Sequence, residues 1–337
     1  MKAIGYRLAG PITARDSLID FDSPDPIPGP RDLRVAVKAI SVNPADVQLR
    51  ARVSPAEGQI KVLGFDAAGV VDAVGSEVSL FKTGDEVFYA GAIDRPGTNS
   101  ELHLVDERIV GKKPKTLRFS QAAALPLTSL TAWELLFDRL ALPYGDKSKS
   151  GSLLIINGAG GVGSILTQIA RRLTGVTVIA TASRPETIAW CQAMGAHHVI
   201  DHNRPFLEQI RAIGLPAVEY VAGLTATDKH LGDIEAVLAP QGKLALIDDP
   251  KILDIVKLKR KSISVHWELM FTRSLYRASD MIAQHRILNE VADLADAGVL
   301  KTTLTEDAGR INAANLILAH QHVESGRGFG KTVLAGF

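Results

Sequence analysis

Residues 152–163 read Ser-Leu-Leu-Ile-Ile-Asn-Gly-Ala-Gly-Gly-Val-Gly. The first six form a short apolar strand, and G-x-G-x-x-G follows at Gly158, Gly160 and Gly163. Val162, Ile165, Leu166, Ile169, Ala170 and Leu173 then recur at helical spacing. Strand, glycine turn and amphipathic helix together are the context that a dinucleotide fingerprint requires. Gly158 permits the tight turn, Gly160 lets the backbone approach a pyrophosphate, and Gly163 lets the helix pack close to the sheet. Gly161 and Val162 open the helix, whose free N–H groups and positive dipole end suit phosphate.

Working outward, β and α segments alternate. Strands are expected at 176–181, 198–201, 217–221 and 243–247, with helices at 127–140 and 185–194. Such alternation predicts a doubly wound parallel sheet of the Rossmann kind, an α/β fold. The end of the second strand discriminates between dinucleotides. NAD sites place an acid there to hold the ribose 2′-hydroxyl. Here Ser183 and Arg184 stand instead, a hydroxyl and a permanent cation suited to a 2′-phosphate. They point to NADP(H). The alternative is a solvated Arg184, with Glu186 reaching the ribose.

The flanks have another character. Residues 33–42, 68–74 and 85–89 read as strands punctuated by Gly and Pro, which predicts a compact antiparallel or barrel-like domain. After residue 270 the pattern is helical at 279–297 and 311–323, with a closing strand at 331–335. The basic run Lys257-Leu258-Lys259-Arg260-Lys261 reads as a solvated loop.

Composition excludes several classes. In 337 residues, 38 Lys+Arg balance 37 Asp+Glu, so no general field favours nucleic acid or an anionic membrane. Aromatics at 5% argue against a base-stacking platform. One cysteine, Cys191, allows no intrachain disulfide and no site needing two thiolates. Residues 1–6 read as a first strand rather than an export signal, and no apolar run is long enough for a membrane helix. A reducing cytoplasm is expected.

Six segments carry a resemblance to a known family. They are Ser41-Val42-Asn43-Pro44-Ala45-Asp46, Leu63-Gly64-Phe65-Asp66-Ala67-Ala68-Gly69-Val70-Val71, Gly84-Asp85-Glu86-Val87, Leu125-Pro126-Leu127-Thr128-Ser129-Leu130-Thr131-Ala132-Trp133, the glycine loop, and His266-Trp267-Glu268-Leu269-Met270-Phe271-Thr272-Arg273. In this order they resemble the medium-chain dehydrogenase/reductase superfamily over essentially the whole chain. The nearest likeness is to the zinc-free quinone oxidoreductase branch and bacterial zinc-type alcohol dehydrogenase-like proteins. The resemblance implies a GroES-like, β-rich catalytic domain (1–125), an inserted Rossmann domain binding NADP(H) (126–270), and a return to the catalytic domain (271–337). It places the nicotinamide in the cleft between them and implies a homodimer, through the strand near 262–266.

It also implies site residues. The catalytic candidates are Asn43, Asp46 and Thr128. Asn43 and Asp46 match a segment lining the nicotinamide cleft, Asn43 to donate to a substrate oxygen and Asp46 to orient it or hold the loop, and Thr128 matches a position facing the ring. Leu269 and Phe271 lie where the family's backbone meets the carboxamide. Ile247 and Asp248 close the nicotinamide half, Lys331 lies near the cleft, and His202 stands where relatives often carry a tyrosine near the adenosine phosphate. Each has a structural alternative. Asn43-Pro44 can simply turn the chain, Asp46 can cap a helix, and Thr128 can cap or pack one.

Zinc relatives carry Cys near Asn43, Gly-His-Glu at Gly64-Phe65-Asp66, and a third ligand near Leu127 or Thr128. Those thiolate and imidazole ligands are missing here, so no zinc is expected. Without a metal, an alcohol's pKa is not lowered. Quinones and α,β-unsaturated carbonyls already have a polarised acceptor carbon. An NADPH-dependent reductase of such small molecules is therefore expected, with no nucleic acid or membrane as partner. The alternatives are an NADPH-binding, crystallin-like protein with little turnover, and a metal-dependent alcohol dehydrogenase.

Overall fold

The computed structural model describes residues 1–148 and 151–337. They form two compact units, Met1–Leu130 with Phe271–Phe337, and Thr131–Met270. Among the described residues, no helix is long and apolar enough to cross a membrane.

The first unit begins with β1 (Lys2–Tyr6), β2 (Ile19–Asp22), β3 (Asp32–Val42), α1 (Pro44–Arg52), β4 (Lys61–Val62), β5 (Asp66–Val74), β6 (Glu86–Tyr89), β7 (Leu102–Asp106) and β8 (Val110–Lys112). Helices α2 (Phe119–Ala123) and α3 (Pro126–Trp133) follow, the second running across the unit boundary. A β2-β1-β4 sheet lies apart from a seven-stranded sheet built on β3 and β5. Strand β3 alternates buried and half-buried residues and then runs fully buried from Ala39 to Val42. The chain leaves this buried end at Asn43, where Pro44 suits the first turn of α1.

The second unit is the dinucleotide-type fold. Its elements are β9 (Ser152–Ile156), α4 (Gly161–Leu173), β10 (Thr177–Thr181), α5 (Pro185–Met194), β11 (His198–Ile200), α6 (Phe206–Ala212), β12 (Val218–Gly223), α7 (Thr227–Val237), β13 (Leu238–Leu246) and β14 (Ser264–Trp267). The strands lie in the order β11-β10-β9-β12-β13-β14, all parallel. Every residue of β9 is buried, as expected for a central parallel strand covered on both faces. Leu154, Ile156, Val221, Leu244 and Leu246 share a core with Phe206, Ile210, Leu231 and Ile234 of α6 and α7.

Two expectations are corrected here. The helix expected over 127–140 is α-helical only as far as Trp133, and Glu134–Arg139 continues it as a π-helix. The basic run is not a loop. It belongs to a 3₁₀ helix, Ile255–Lys261, with Leu258 buried. Lys261 Nζ donates to the carbonyls of Glu235, Ala236 and Leu238. A cation there satisfies orphan carbonyls at the negative end of α7.

The chain then returns to the first unit with α8 (Thr272–Leu275), α9 (Ala283–Asp296), β15 (Leu304–Asp307), α10 (Ala313–Glu324) and β16 (Lys331–Ala335). Strand β16 pairs antiparallel with β3, setting Thr332 opposite Val42. On its other side β3 pairs with β5, setting Ser41 opposite Asp66. These two registers bring residues from three distant parts of the chain to one point.

Candidate active site and cofactor loop

At the C-terminal end of β9 the chain turns at Asn157, which takes a left-handed φ of 65°. The turn therefore falls on Asn157, one residue before the glycine to which the sequence assigned it. Asn tolerates this region better than most residues. Asn157 N donates to Thr181 Oγ1 at 2.9 Å, and Gly158 N to Thr181 O at 3.1 Å. Gly158 is required for space. A Cβ there would sit 2.5 Å from Ala180 Cβ and 3.2 Å from Cys191 Sγ. Gly163 is tighter still, since its Cβ would lie 2.3 Å from Asn157 O. Gly160 precedes α4 as its N-cap, and Gly161 and Val162 open the helix. The first-turn N–H groups of a helix have no partners within it, and they carry its positive dipole end. The loop therefore fits a dinucleotide pyrophosphate.

Two residues supporting this loop escaped the sequence reading. Ser164 Oγ donates to Gly160 O at 2.7 Å, and Trp190 Nε1 donates to Ser164 Oγ at 2.8 Å. Cys191, beside Trp190, is buried, and burial pushes its thiol up to about 12.

Ser183 and Arg184 follow β10, and Arg184 is the N-cap of α5. Its guanidinium lies 3.3 Å from Glu186, both side chains being substantially exposed. Such a surface pair is worth little and exchanges easily for a better anion. His202 follows β11, and its Nδ1 is buried without a hydrogen-bond partner among the described residues. Its ring lies 6.5 Å from that of His230, whose imidazole is lowered by burial and then by His202.

After β13, Ile247 N donates to Gly223 O at 3.1 Å. The Asp248 carboxylate is engaged by Thr227, accepting from its N at 2.8 Å and its Oγ1 at 2.7 Å, and so holds the start of α7. The Leu269 side chain is exposed. In the first unit, Phe271 is buried with its ring centroid 4.7 Å from that of Phe65.

Also within the first unit, Asn43, Asp46, Asp66, Thr128 and Lys331 are all buried. Asp66 is the hub. Its Oδ2 accepts from Ser41 Oγ at 2.8 Å, Asn43 Nδ2 at 2.9 Å and Lys331 Nζ at 3.0 Å. Its Oδ1 accepts from Leu127 N at 2.7 Å, next to the start of α3. Lys331 Nζ also donates to Val42 O and to Asn43 Oδ1. All three of its hydrogens are thereby used inside the unit. Asp46 Oδ2 accepts from Asn43 N at 2.8 Å and its Oδ1 from Gly64 N at 3.0 Å. Burial raises its carboxyl to about 7, against the pull of these amides and of Lys331. Thr128 Oγ1 donates to Leu125 O at 3.1 Å. The cluster joins Asn43, Asp46 and Lys331, and Thr128 stands one residue beyond the amide held by Asp66. Asp66 and Ser41 had no role in the sequence reading. Their part is visible only in the register of β3 and β5.

The donors suit an internal ammonium and do not suit zinc. Where zinc relatives carry Cys and His, this chain has Asn43, with its amide bonded to Asp66 and Lys331, and Phe65, packed on Phe271. Asp66 is already neutralised by Lys331. Among the described residues, no group of three His, Cys, Asp or Glu could hold a metal.

The chain matches two family models, "Alcohol dehydrogenase GroES-like domain" over residues 29–115 and "Zinc-binding dehydrogenase" over residues 194–334. It is 39% identical over 337 residues to a "zinc-type alcohol dehydrogenase-like protein" of Staphylococcus aureus, covering 99% of both chains. It belongs to the medium-chain dehydrogenase/reductase superfamily. Among solved members, a Rhizobium etli protein carrying the name of a zinc-dependent alcohol dehydrogenase is 55% identical. Its TM-score is 0.96, with 100% of this chain and 98% of that one covered. A Pseudomonas syringae quinone oxidoreductase is 28% identical with a TM-score of 0.84, covering 99% of each chain. Superfamily membership makes the protein an oxidoreductase with a GroES-like domain and a Rossmann-like domain.

Proposed function

We propose that this superfamily member is a zinc-independent, NADP(H)-dependent reductase of quinones or α,β-unsaturated carbonyls. The observation that carries this reading is the Asp66–Lys331 pair. It fills with an ammonium, three-fold bonded, the ground where a metal centre would need free donors. A site without a Lewis acid cannot lower an alcohol's pKa. It suits acceptors whose carbon is electrophilic already.

Bound NADPH supplies the hydride. The N–H groups of Gly161, Val162 and Gly163 hold its pyrophosphate, and Gly158 and Gly160 keep the approach clear. Ser183 and Arg184 take the 2′-phosphate, Arg184 leaving Glu186 for a doubly charged partner. His202 contacts the adenosine side. The backbone at Ile247, Leu269 and Phe271 serves the nicotinamide half, while Asp248 fixes α7 behind it. Asn43 and Asp46 fix the turn into α1. Lys331 holds Asn43 in place rather than touching the cofactor, and Thr128 packs the start of α3. A product oxyanion takes its proton from water.

The quinone oxidoreductase among the relatives supports the acceptor class. A homodimer through β14, the edge of the six-stranded sheet, is part of the same reading; Trp267 and Leu269 expose apolar surface beside that edge. The test is NADPH consumption against quinone, enone and aldehyde acceptors, with and without a chelator.

A further inference from the structure

The π-helical segment Glu134–Arg139 continues α3 without a break. Its wide turn shows in the bond from Leu140 N to Leu135 O, at 2.9 Å. Segments of this kind are rare and lie frequently at functional sites. Here the wide turn ends on Arg139, whose Nε lies 2.8 Å from Glu268 Oε2. The Glu268 side chain has no exposed surface, whereas Arg139 is one-third exposed.

Glu268 follows β14 at its C-terminal end, and its N donates to Leu246 O at 3.0 Å. In an open parallel sheet, ligands bind in the crevice outside the carboxyl ends of the strands. The glycine loop leaves β9 at that same end. Glu268, Leu269 and Met270 therefore stand on the ligand side of the sheet. Glu268 and Met270 are buried and Leu269 is exposed between them, so the backbone here is gripped on both sides of its outward residue.

We propose that Arg139 is a positioning residue: its ion pair with Glu268 sets the backbone of residues 268–270 for the nicotinamide half of NADP(H). This rests on the cofactor reading above. Glu268 is wholly buried, so removing Arg139 takes away a charge partner that water cannot replace, and the carboxylate shifts toward its other contacts. That shift moves the backbone that carries Leu269. The adenosine half belongs to β10 and β11, at the other side of the sheet. Strand β10 is four places from β14 in the sheet order. At about 4.8 Å per place, that is roughly 19 Å, too far for Arg139 to act directly.

The test compares two ligands on the full chain. Equilibrium binding of NADPH and of adenosine 2′,5′-bisphosphate, the adenine half alone, is measured for the unaltered protein, Arg139→Gln and Arg139→Lys. Arg139→Gln is expected to weaken NADPH by about tenfold or more and to leave the bisphosphate within about twofold. Arg139→Lys keeps the charge without the planar fork, so about threefold is expected for NADPH alone. If Arg139→Gln does not fold, the Lys variant reads the same split. Equal weakening of both ligands, or no weakening of NADPH, overturns the proposal. Failure of both ligands to bind the unaltered protein overturns the cofactor reading and this proposal with it, and is told apart because no variant is involved.

Discussion

Lys331 Nζ stands 3.0 Å from Asp66 Oδ2, with the two side chains 3% and 0% exposed. The pair joins β16 to β5 across β3, the strand they flank. Removing one partner leaves a charge in a place that water does not reach. Lys331→Met is therefore expected to cost about 3–5 kcal/mol of stability. The double variant Lys331→Met with Asp66→Asn removes both charges, keeps an acceptor for Leu127 N, and should recover much of that loss. Urea unfolding of the single and double variants checks this. Equal destabilisation by both would show that the charge pair is not what matters there.

Among the described residues, the Arg184 guanidinium pairs only with the exposed Glu186, at 3.3 Å. A 2′-phosphate offers it a stronger, charge-assisted partner. Arg184→Ala should weaken NADPH by about 1.5–3 kcal/mol and NADH hardly at all. Isothermal titration with both dinucleotides decides the point. Parallel weakening of the two would remove the 2′-phosphate assignment.

At Gly163 an added Cβ would meet Asn157 O at 2.3 Å, a backbone atom that cannot swing away. Gly163→Ala is expected to cost about 1–3 kcal/mol in overpacking. The same shift displaces the amides proposed to receive the pyrophosphate. Thermal melting and NADPH binding should both fall, whereas Gly232→Ala, inside α7 with open space around it, should leave binding unchanged and raise melting slightly.

Two buried histidines make the fold acid-sensitive. Burial, its largest influence, lowers His103 to about 4, and burial reinforced by Arg50 lowers His320 to about 3. Unfolded, each titrates near 6.5. Between these values the unfolded chain binds a proton that the folded chain refuses, so stability falls as pH drops. The loss begins near 6.5 and runs on to the folded values, at about 1.4 kcal/mol per pH unit for each group. Neither nitrogen of His320 has a hydrogen-bond partner among the described residues, so His320→Leu removes one contribution without breaking a bond. Denaturant midpoints at neutral pH and near pH 5 should converge in this variant relative to the parent. An unchanged pH dependence would contradict it.

The sequence made the cofactor half legible because its signals are local. Strand, glycine turn and helix follow one another within about twenty residues, and hydrophobic period alone separates them. The polar cluster was only half legible. Asn43 and Asp46 could be picked out, but Asp66 had no partner in view. Its ammonium comes from Lys331, 265 residues away, and its position depends on strand register. Lys331 was expected beside the cofactor, and the structure spends its three hydrogens on Val42, Asn43 and Asp66. The π-helical segment was invisible for another reason. Six residues are too few to separate its period from that of an α-helix. Strand β14 was expected only through the family resemblance, near 262–266, and not from hydrophobic pattern, because Ser264–Trp267 carries no fully buried residue and lacks the apolar run that marks β9.

The central claim is hydride transfer without a metal. Purified protein, treated with a strong chelator and then freed of it, is assayed for NADPH consumption against a quinone, an enone and an aldehyde. Undiminished turnover with the quinone or enone, and little with the aldehyde, is the predicted result. A rate that disappears on chelation and returns with zinc, or no hydride transfer to any acceptor, would contradict the account.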